Sequence, residues 1–521
     1  MDKITQSRPV GYQWLVDHYG LNCLPADRIS RVAGVSAPRT KRDFVTGSGD
    51  TVTLQTFPWR YAKANTFQDH LELALKYEGI NPGILKAVFQ EVGPKAVEEY
   101  VRSTPTGQYA KRAWFFYEWL TGKQLDIQDL KISNNIDAVD PDEYYVAPPI
   151  SSPRHRVINN VAGVPGYCPM FRRSEYIDSI IAKDLPRHLM VQLRQHSQDV
   201  LERTMNYLYA KESRTSHLIE REVPSAEKAA RFVKLLREAG GEAPLTDEAV
   251  FAIQVTIIDE KRLHYGYGWR PVQGYVSETR FEKQIIHEIG AKPEDVPGLM
   301  HDLFAYMERL HGSNVPPIIQ AAAVAFGFVF IHPLEDGNGR AHRYLIHHVL
   351  SREKYTPRDI IFPVSAAILN DQKRYEICLE TFSKPLMRRV TYTKNKKGEM
   401  QVTTKNTADF YRYFNGTPIA EYLTRMIEKT AQEEVMQEIA FIELYDSIKT
   451  DVKAKLHNIS DRDLDLAIKV IHQNGGKISK RKSDGILTGL SEADRLLFEE
   501  AYAKYAYDIR AAGMELPQPE F

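Results

Sequence analysis

Residues 317–350 constrain this chain more than any other stretch. They read PIIQAAAVAFGFVF, then IHPLEDGNGR, then AHRYLIHHVL. The first part is almost wholly apolar, the pattern of a helix buried on most faces. In the last part Leu345, Ile346, Val349 and Leu350 recur at helical spacing, so a second helix is expected to begin near Asn338 or Gly339. Between the two runs sits a nine-residue loop, His332 to Arg340. A loop that ends on a helix N-terminus presents backbone N–H groups without intrahelical partners and the positive end of the helix dipole. It is built to bind anions.

The residue types in the loop sharpen that expectation. Gly337 and Gly339 open backbone conformations closed to other residues and let a phosphate approach the main chain. Arg340 and Arg343 stand three apart on one helix face, where both reach the same polyphosphate. Asp336 supplies a hard carboxylate oxygen suited to Mg²⁺ shared with phosphate oxygens. His332 is the one side chain of the loop suited to taking a proton near neutrality. Any one of these residues fits an ordinary inter-helix turn; the six together read as a nucleotide site containing a base.

The run from His332 to Arg343, HPLEDGNGRAHR, resembles the signature of the Fic (Fido) family, usually His-x-Phe-x-Asp/Glu-Gly-Asn-Gly-Arg-x-x-Arg. The resemblance implies a mainly α fold: a helical core with a short β-hairpin flap, here flanked by helical N- and C-terminal accessory regions. It implies a protein adenylyltransferase that moves AMP from Mg·ATP to a Ser, Thr or Tyr hydroxyl of a target protein, the chain itself included. Asp336 would then hold the metal and Asn338 would donate to the α-phosphate. Arg340 and Arg343 would neutralise the β- and γ-phosphates, and His332 would take the hydroxyl proton. Leu334 replaces the usual Phe, an apolar exchange expected to repack the loop anchor slightly.

Composition sets outer limits. A chain of 521 residues exceeds one core, so several domains are expected: an accessory region and linker at 1–165, the catalytic core at 166–388, and a hairpin with helices at 389–521. Lys plus Arg and Asp plus Glu balance at 68 each, so no global charge recruits nucleic acid or membrane. Three scattered cysteines suit a reducing compartment, and no apolar run has the length of a membrane span or a signal peptide. The expectation is a soluble cytoplasmic protein. A homodimer is compatible with the sequence.

Residues 1–130 read as mostly helical. Residues 67–77 and 84–89 carry helical spacing, with Asn81-Pro-Gly83 as the turn between them. The aromatic run AWFFYEWL at 113–120 reads as a packed helix in preference to a docking patch. Residues 132–169, rich in Asn, Asp, Pro and Ser, read as irregular.

In residues 213–221, SRTSHLIER, the bland reading is a polar helix turn with Leu218 and Ile219 packed inward. Beside the motif, Ser216-x-x-x-Glu220 is similar to the family's inhibitory helix, whose glutamate pairs with the second motif arginine, here Arg343, and obstructs the γ-phosphate. Arg221 departs from the Gly or Asn usual at the next position, where left-handed backbone is favoured. In residues 265–276, Gly268-Trp269-Arg270 followed by Val272 is similar to the family's stretch at the flap, expected to hold a target backbone by strand addition. The histidines outside the loop show no metal-ligand spacing.

Beyond the motif, Tyr375 is a weak candidate for stacking on adenine, and residues 390–403 alternate around Lys397-Gly398 as an exposed hairpin. Ser460-x-x-Asp463 and Ser491-x-x-Asp494 read as capping boxes that bracket Gly475-Gly476 and the basic run 477–482. That arrangement permits a DNA-reading helix-turn-helix, although four cations in a turn more often form a solvated face. Alternatives to AMP transfer are AMP removal with Glu220 aligning water, transfer of another phosphate group, and a nucleotide-sensing regulator that binds DNA.

Overall fold

The structure is a computed structural model describing residues 7–33, 40–47, 50–281, 283–357, 359–396, 399–456, 459–478 and 490–517. The chain is mainly α-helical, and the described residues also form four small sheets. Packing divides it into two units. One comprises Met1–Ser179, Glu238–Glu353 and Asp371–Thr424; the other comprises Ile180–Arg237, Lys354–Asn370 and Arg425–Phe521. The three successive segments expected from the sequence do not follow this division. The physical reason is that Gln198–Ile219 packs on Val364–Asn370 and on Val435–Lys455, so segments distant in sequence share one core.

In the first unit the N-terminal region is mostly helical and adds a sheet that the sequence did not lead one to expect. Strands Arg8–Val10, Arg28–Val32, Asp50–Phe57 and Lys41–Gly47 lie side by side in that order, and only the central pair is parallel. The Thr- and Val-rich run DTVTLQTF carried the β signal in its branched side chains. The helix Phe67–Tyr77 packs on the strand Arg8–Val10 and on Gln108–Thr121, which in turn packs on Pro82–Ser103. Asn81 does not make a free turn: its side chain caps the helix by accepting from Ile84 N–H at 3.0 Å, with Pro82 in the first turn. The aromatic run is core, with Trp114, Phe115, Phe116 and Tyr117 all buried among Leu71, Ile84 and Phe89. Within residues 132–169 three short strands pair, Ile136–Asp137 and Ile150–Ser152 flanking Val157–Asn159.

The centre of this unit is the helix pair Pro317–Ile331 and Asn338–Arg352, at the expected boundaries. Every residue from Ile318 to Ile331 is buried. The C-terminal end of the second helix is fixed to the helix Val296–Leu310 by a bidentate pair, Arg352 to Glu308 at 2.7 and 3.1 Å. A cation in the last turn also meets the negative end of the helix dipole.

The second unit is built from helices. Ala440, Leu444, Ile448 and Val452 pack against Leu464, Ile468 and Ile471 of Asp461–Gln473 and against Phe498 and Tyr502 of Glu492–Ala511. Ser491 and Asp494 form the reciprocal capping box, whereas Ser460 caps Asp463 N–H alone. Most of the basic run, residues 479–482, lies outside the described residues, and so do Lys397-Gly398. The strands beside the latter, Tyr392–Lys394 and Met400–Val402, pair antiparallel.

Candidate active site

The motif loop begins with a reversal of the chain at His332. Its backbone is left-handed, φ 54°, and its N–H closes the first helix on Phe328 O at 3.0 Å. Leu334 is fully buried, so Leu fills the anchor position, and its burial stabilises the loop by about 1.5–3 kcal/mol. Asn338 then staples the loop: its Oδ1 accepts from Leu334 N–H at 2.9 Å and its Nδ2 donates to Leu334 O at 2.8 Å. Asn338, expected to donate to the α-phosphate, thus also fixes the loop. Only one amide hydrogen is left over for a ligand.

Gly337 has φ 96°, and a Cβ there would stand 2.9 Å from Ile258 Cγ1. Being glycine, this N-cap brings no side-chain acceptor to the first-turn N–H groups of Asn338, Gly339 and Arg340.

Charge is arranged around Asp336. Its Oδ1 accepts from Gly337 N–H at 2.7 Å and faces Arg340 Nη2 at 3.4 Å; its Oδ2 meets Arg262 Nη2 at 2.9 Å. Arg340 and Arg343 are 2% and 1% exposed, so two guanidinium groups are held out of water on one helix face. Arg340 meets the carboxylate of Asp336, and the planar fork of a guanidinium suits phosphate oxygens as well as carboxylates. Glu335 points elsewhere. Burial alone would raise its carboxyl, but N–H donation from His264 and Tyr265 outweighs that and holds it below the usual range.

Residues the sequence reading passed over hold the loop in place. Gln254 accepts from Gly268 N–H at 2.9 Å and donates to Asp336 O at 3.3 Å. It is the buried polar residue of an otherwise apolar stretch, AVFAIQVTI, and such a residue signals a required partner. Arg262 gave no comparable signal, since it follows a helix end in a run of charges.

The flap expectation needs correction. Gly268 and Trp269 are half-buried and Arg270 is buried, and the hairpin lies after them, in Tyr275–Arg280 paired with Lys283–Ile289. Trp269 bridges Leu334, packs edge-on against Phe251 and donates Nε1–H to Asp247 at 3.1 Å. Arg270 is buried and donates to four carbonyls, those of His332 and Val272 at 2.6 Å each, Ile331 at 3.4 Å, and Ala291. Val272 thus contributes its carbonyl. Arg270 reaches so many acceptors because Gly290 lacks a side chain: a Cβ there would lie 2.8 Å from His332 Cβ and 2.9 Å from Arg270 Nη2. One end of the hairpin is therefore pinned against the motif histidine.

At that end Glu288 is buried, and its carboxyl is pushed up to about 8 by loss of water. Tyr411 donates to Ile289 O at 2.7 Å beside it. Tyr375 is buried, its ring stacked on His342 at 6.2 Å and tilted against Tyr422 at 5.9 Å. It belongs to the core behind the motif helix.

Residues 213–221 lie in the second unit, on the end of the helix Gln198–Ile219. The inward faces differ from the bland expectation: Ser213, Thr215, Ser216 and His217 are buried, whereas Leu218 and Ile219 are half-buried. Glu220 is the C-cap. Arg221 takes the left-handed conformation, φ 57°, that Gly or Asn adopts most readily.

The site is a helical pair joined by this loop, with a histidine, a carboxylate and two buried arginines around a helix N-terminus. Residues 244–350 match the Fic/DOC family. The protein adenylyltransferases Fic of Drosophila sechellia, Drosophila simulans and Drosophila melanogaster are each 32% identical to this chain over 117 residues, which is 21% of this chain and 22% of each relative. The chain thus spans about a fifth of the length of the curated relatives it matches. Among solved structures, a Fic family protein from Desulfovibrio desulfuricans aligns with 66% of this chain and 92% of its own at TM-score 0.37 and 19% identity. A Fic domain signalling protein from Bacteroides thetaiotaomicron aligns with 52% and 97% at TM-score 0.35 and 19% identity. At these TM-scores neither likeness places any element. No described helix is long and apolar enough to cross a membrane.

Proposed function

We propose that this chain transfers AMP from ATP to a hydroxyl of a target protein. The observation that carries the reading is the Asp336–Arg340 pair at 3.4 Å, set on the same loop and helix start as His332. A carboxylate, buried guanidinium groups and uncapped N–H groups suit a triphosphate, and the adjacent histidine suits deprotonation of an attacking hydroxyl. The target oxygen forms a bond to the α-phosphorus as its proton passes to His332. The bond from the α-phosphorus to the bridging oxygen breaks, and pyrophosphate leaves with that electron pair. Arg340 and Arg343 stabilise the charge on the departing phosphates.

The donor set fits Mg²⁺. Asp336 is a hard carboxylate, 29% exposed, beside the surface that would take the phosphates, and those would supply further oxygens. When bound, the ion would neutralise phosphate charge and orient the triphosphate. Asp336 is engaged by Arg262 and Arg340, so nucleotide binding would exchange arginine–carboxylate contacts for arginine–phosphate ones.

Autoinhibition by Glu220 acting on Arg343 forms part of the proposal. It is supported by the left-handed backbone at Arg221, which suits the Ser216–Glu220 pattern despite the unusual side chain. The test is incubation with ATP labelled on the α- or on the γ-phosphate, with and without EDTA. Retained α-label that EDTA abolishes is expected; γ-label retained on protein would mean kinase-like transfer and overturn the reading. The twin possibilities of self-modification and dimer formation are read from the same labelled samples by gel and by light scattering.

A further inference from the structure

Residues 388–405 carry Arg388, Arg389, Lys394, Lys396, Lys397 and Lys405 against a single acid, Glu399, in a chain whose charges otherwise balance. The described part of this segment is a hairpin, Tyr392–Lys394 paired with Met400–Val402. It lies beside the hairpin Tyr275–Arg280 with Lys283–Ile289, because Lys394 Nζ donates to Gln284 Oε1 at 2.5 Å. Lys394, Lys396 and Lys405 are exposed. The first hairpin adds apolar exposure. Val276 is 42% exposed, and Phe281 at the tip is 96% exposed in a left-handed conformation, φ 48°. An aromatic residue held there is costly to the free protein on two counts, solvent exposure and backbone strain.

We propose that the two hairpins together form a docking surface for an acidic, extended segment of the target protein. The inference rests on the proposed transfer to a protein hydroxyl and names the class of sequence around that hydroxyl. Both hairpins are two-stranded, so among the described residues no third strand pairs with either. A polypeptide strand matches the alternating donors and acceptors of a strand edge, whereas a nucleic acid backbone offers acceptors alone. Lys394, Lys396 and Lys405 supply the complement to Asp and Glu side chains. Because the first hairpin is pinned to His332 through Arg270 and Gly290, a segment seated on it presents its hydroxyl near the base.

The test is fluorescence anisotropy of three labelled probes with full-length protein, with and without Mg·ATP: a Ser/Thr/Tyr peptide flanked by Asp and Glu, its twin flanked by Lys, and a single-stranded oligonucleotide. The acidic peptide is expected to bind about tenfold more tightly than its twin, the sum of a few exposed charge contacts, and less tightly as salt rises. A Lys394→Glu, Lys396→Glu, Lys405→Glu variant with wild-type melting temperature should lose that preference, and the Arg triple should keep it. Equal binding of the two peptides, or a preference untouched by charge reversal, overturns the proposal. So does an oligonucleotide that binds more tightly than the acidic peptide and displaces it. Selective binding without α-label reaching the bound peptide leaves the docking surface standing and counts against AMP transfer instead.

Discussion

The guanidinium of Arg270 donates to the backbone carbonyl of His332 at 2.6 Å, so the residue expected to line a target-binding flap is the one that sets the conformation of the motif histidine. His332 sits in left-handed backbone, a costly conformation for a side chain with a Cβ. The Arg270 contacts on Ile331, His332 and Ala291 hold that turn from both sides.

Replacement of Arg270 by Lys should therefore disturb more than a charge. A single ammonium cannot reach four carbonyls in a fixed fork, and each lost charge-assisted hydrogen bond leaves a buried acceptor, so about 2–4 kcal/mol of stability should go. Urea unfolding measures this. The folded variant should bind ATP close to normally while transferring poorly, since the phosphate contacts lie elsewhere. Unchanged stability and turnover would show that the His332 turn holds itself.

Glu288 gives a pH dependence whose sign is fixed by its raised carboxyl. In the folded protein it stays protonated up to about 8, whereas unfolded it ionises near the ordinary glutamate value. Between those values the unfolded state holds fewer protons, so stability falls as pH rises, by up to about 1.4 kcal/mol per unit. Tyr411 is the titratable neighbour of this group. Glu288→Gln should flatten the fall and melt higher than wild type at about pH 9, with little difference near pH 4. Parallel melting curves across the range would place the Glu288 carboxyl in water.

The motif helices were legible because everything that defines them is local: Pro317 in the first turn, an apolar run broken by a single amide at Gln320, and Gly337 before the second helix. The anchoring role of Leu334 was legible for the same reason. The flap was not, since its strand YVSETR is exposed along nearly its whole length and carries no alternation of buried and exposed residues. The Gly268-Trp269-Arg270 stretch resembled a flap yet is fixed by partners about sixty residues downstream. The N-terminal sheet was missed although DTVTLQTF carries branched side chains, because Arg8–Val10 and Arg28–Val32 are only three and five residues long. The buried polar face of Ser213–His217 escaped because its neighbours are set by tertiary packing, which periodicity within nine residues does not reveal.

Glu220→Gly tests the inhibitory proposal without altering the motif. If Glu220 competes with phosphate for Arg343, its loss should raise self-labelling by about tenfold, the worth of one charge-assisted contact. Arg343→Ala should not reproduce the gain, because it removes the phosphate contact too. Equal initial rates for Glu220→Gly and wild type at saturating Mg·ATP would make the helix end purely structural.

The most direct measurement is retention of the α-phosphate label by protein in the Glu220→Gly background, with and without His332→Ala. AMP transfer through His332 predicts covalent label in the first protein and a loss of about 10²–10⁴-fold in the second, with ATP affinity kept. Equal labelling of the two proteins, or label that arrives only from the γ-phosphate, would contradict it.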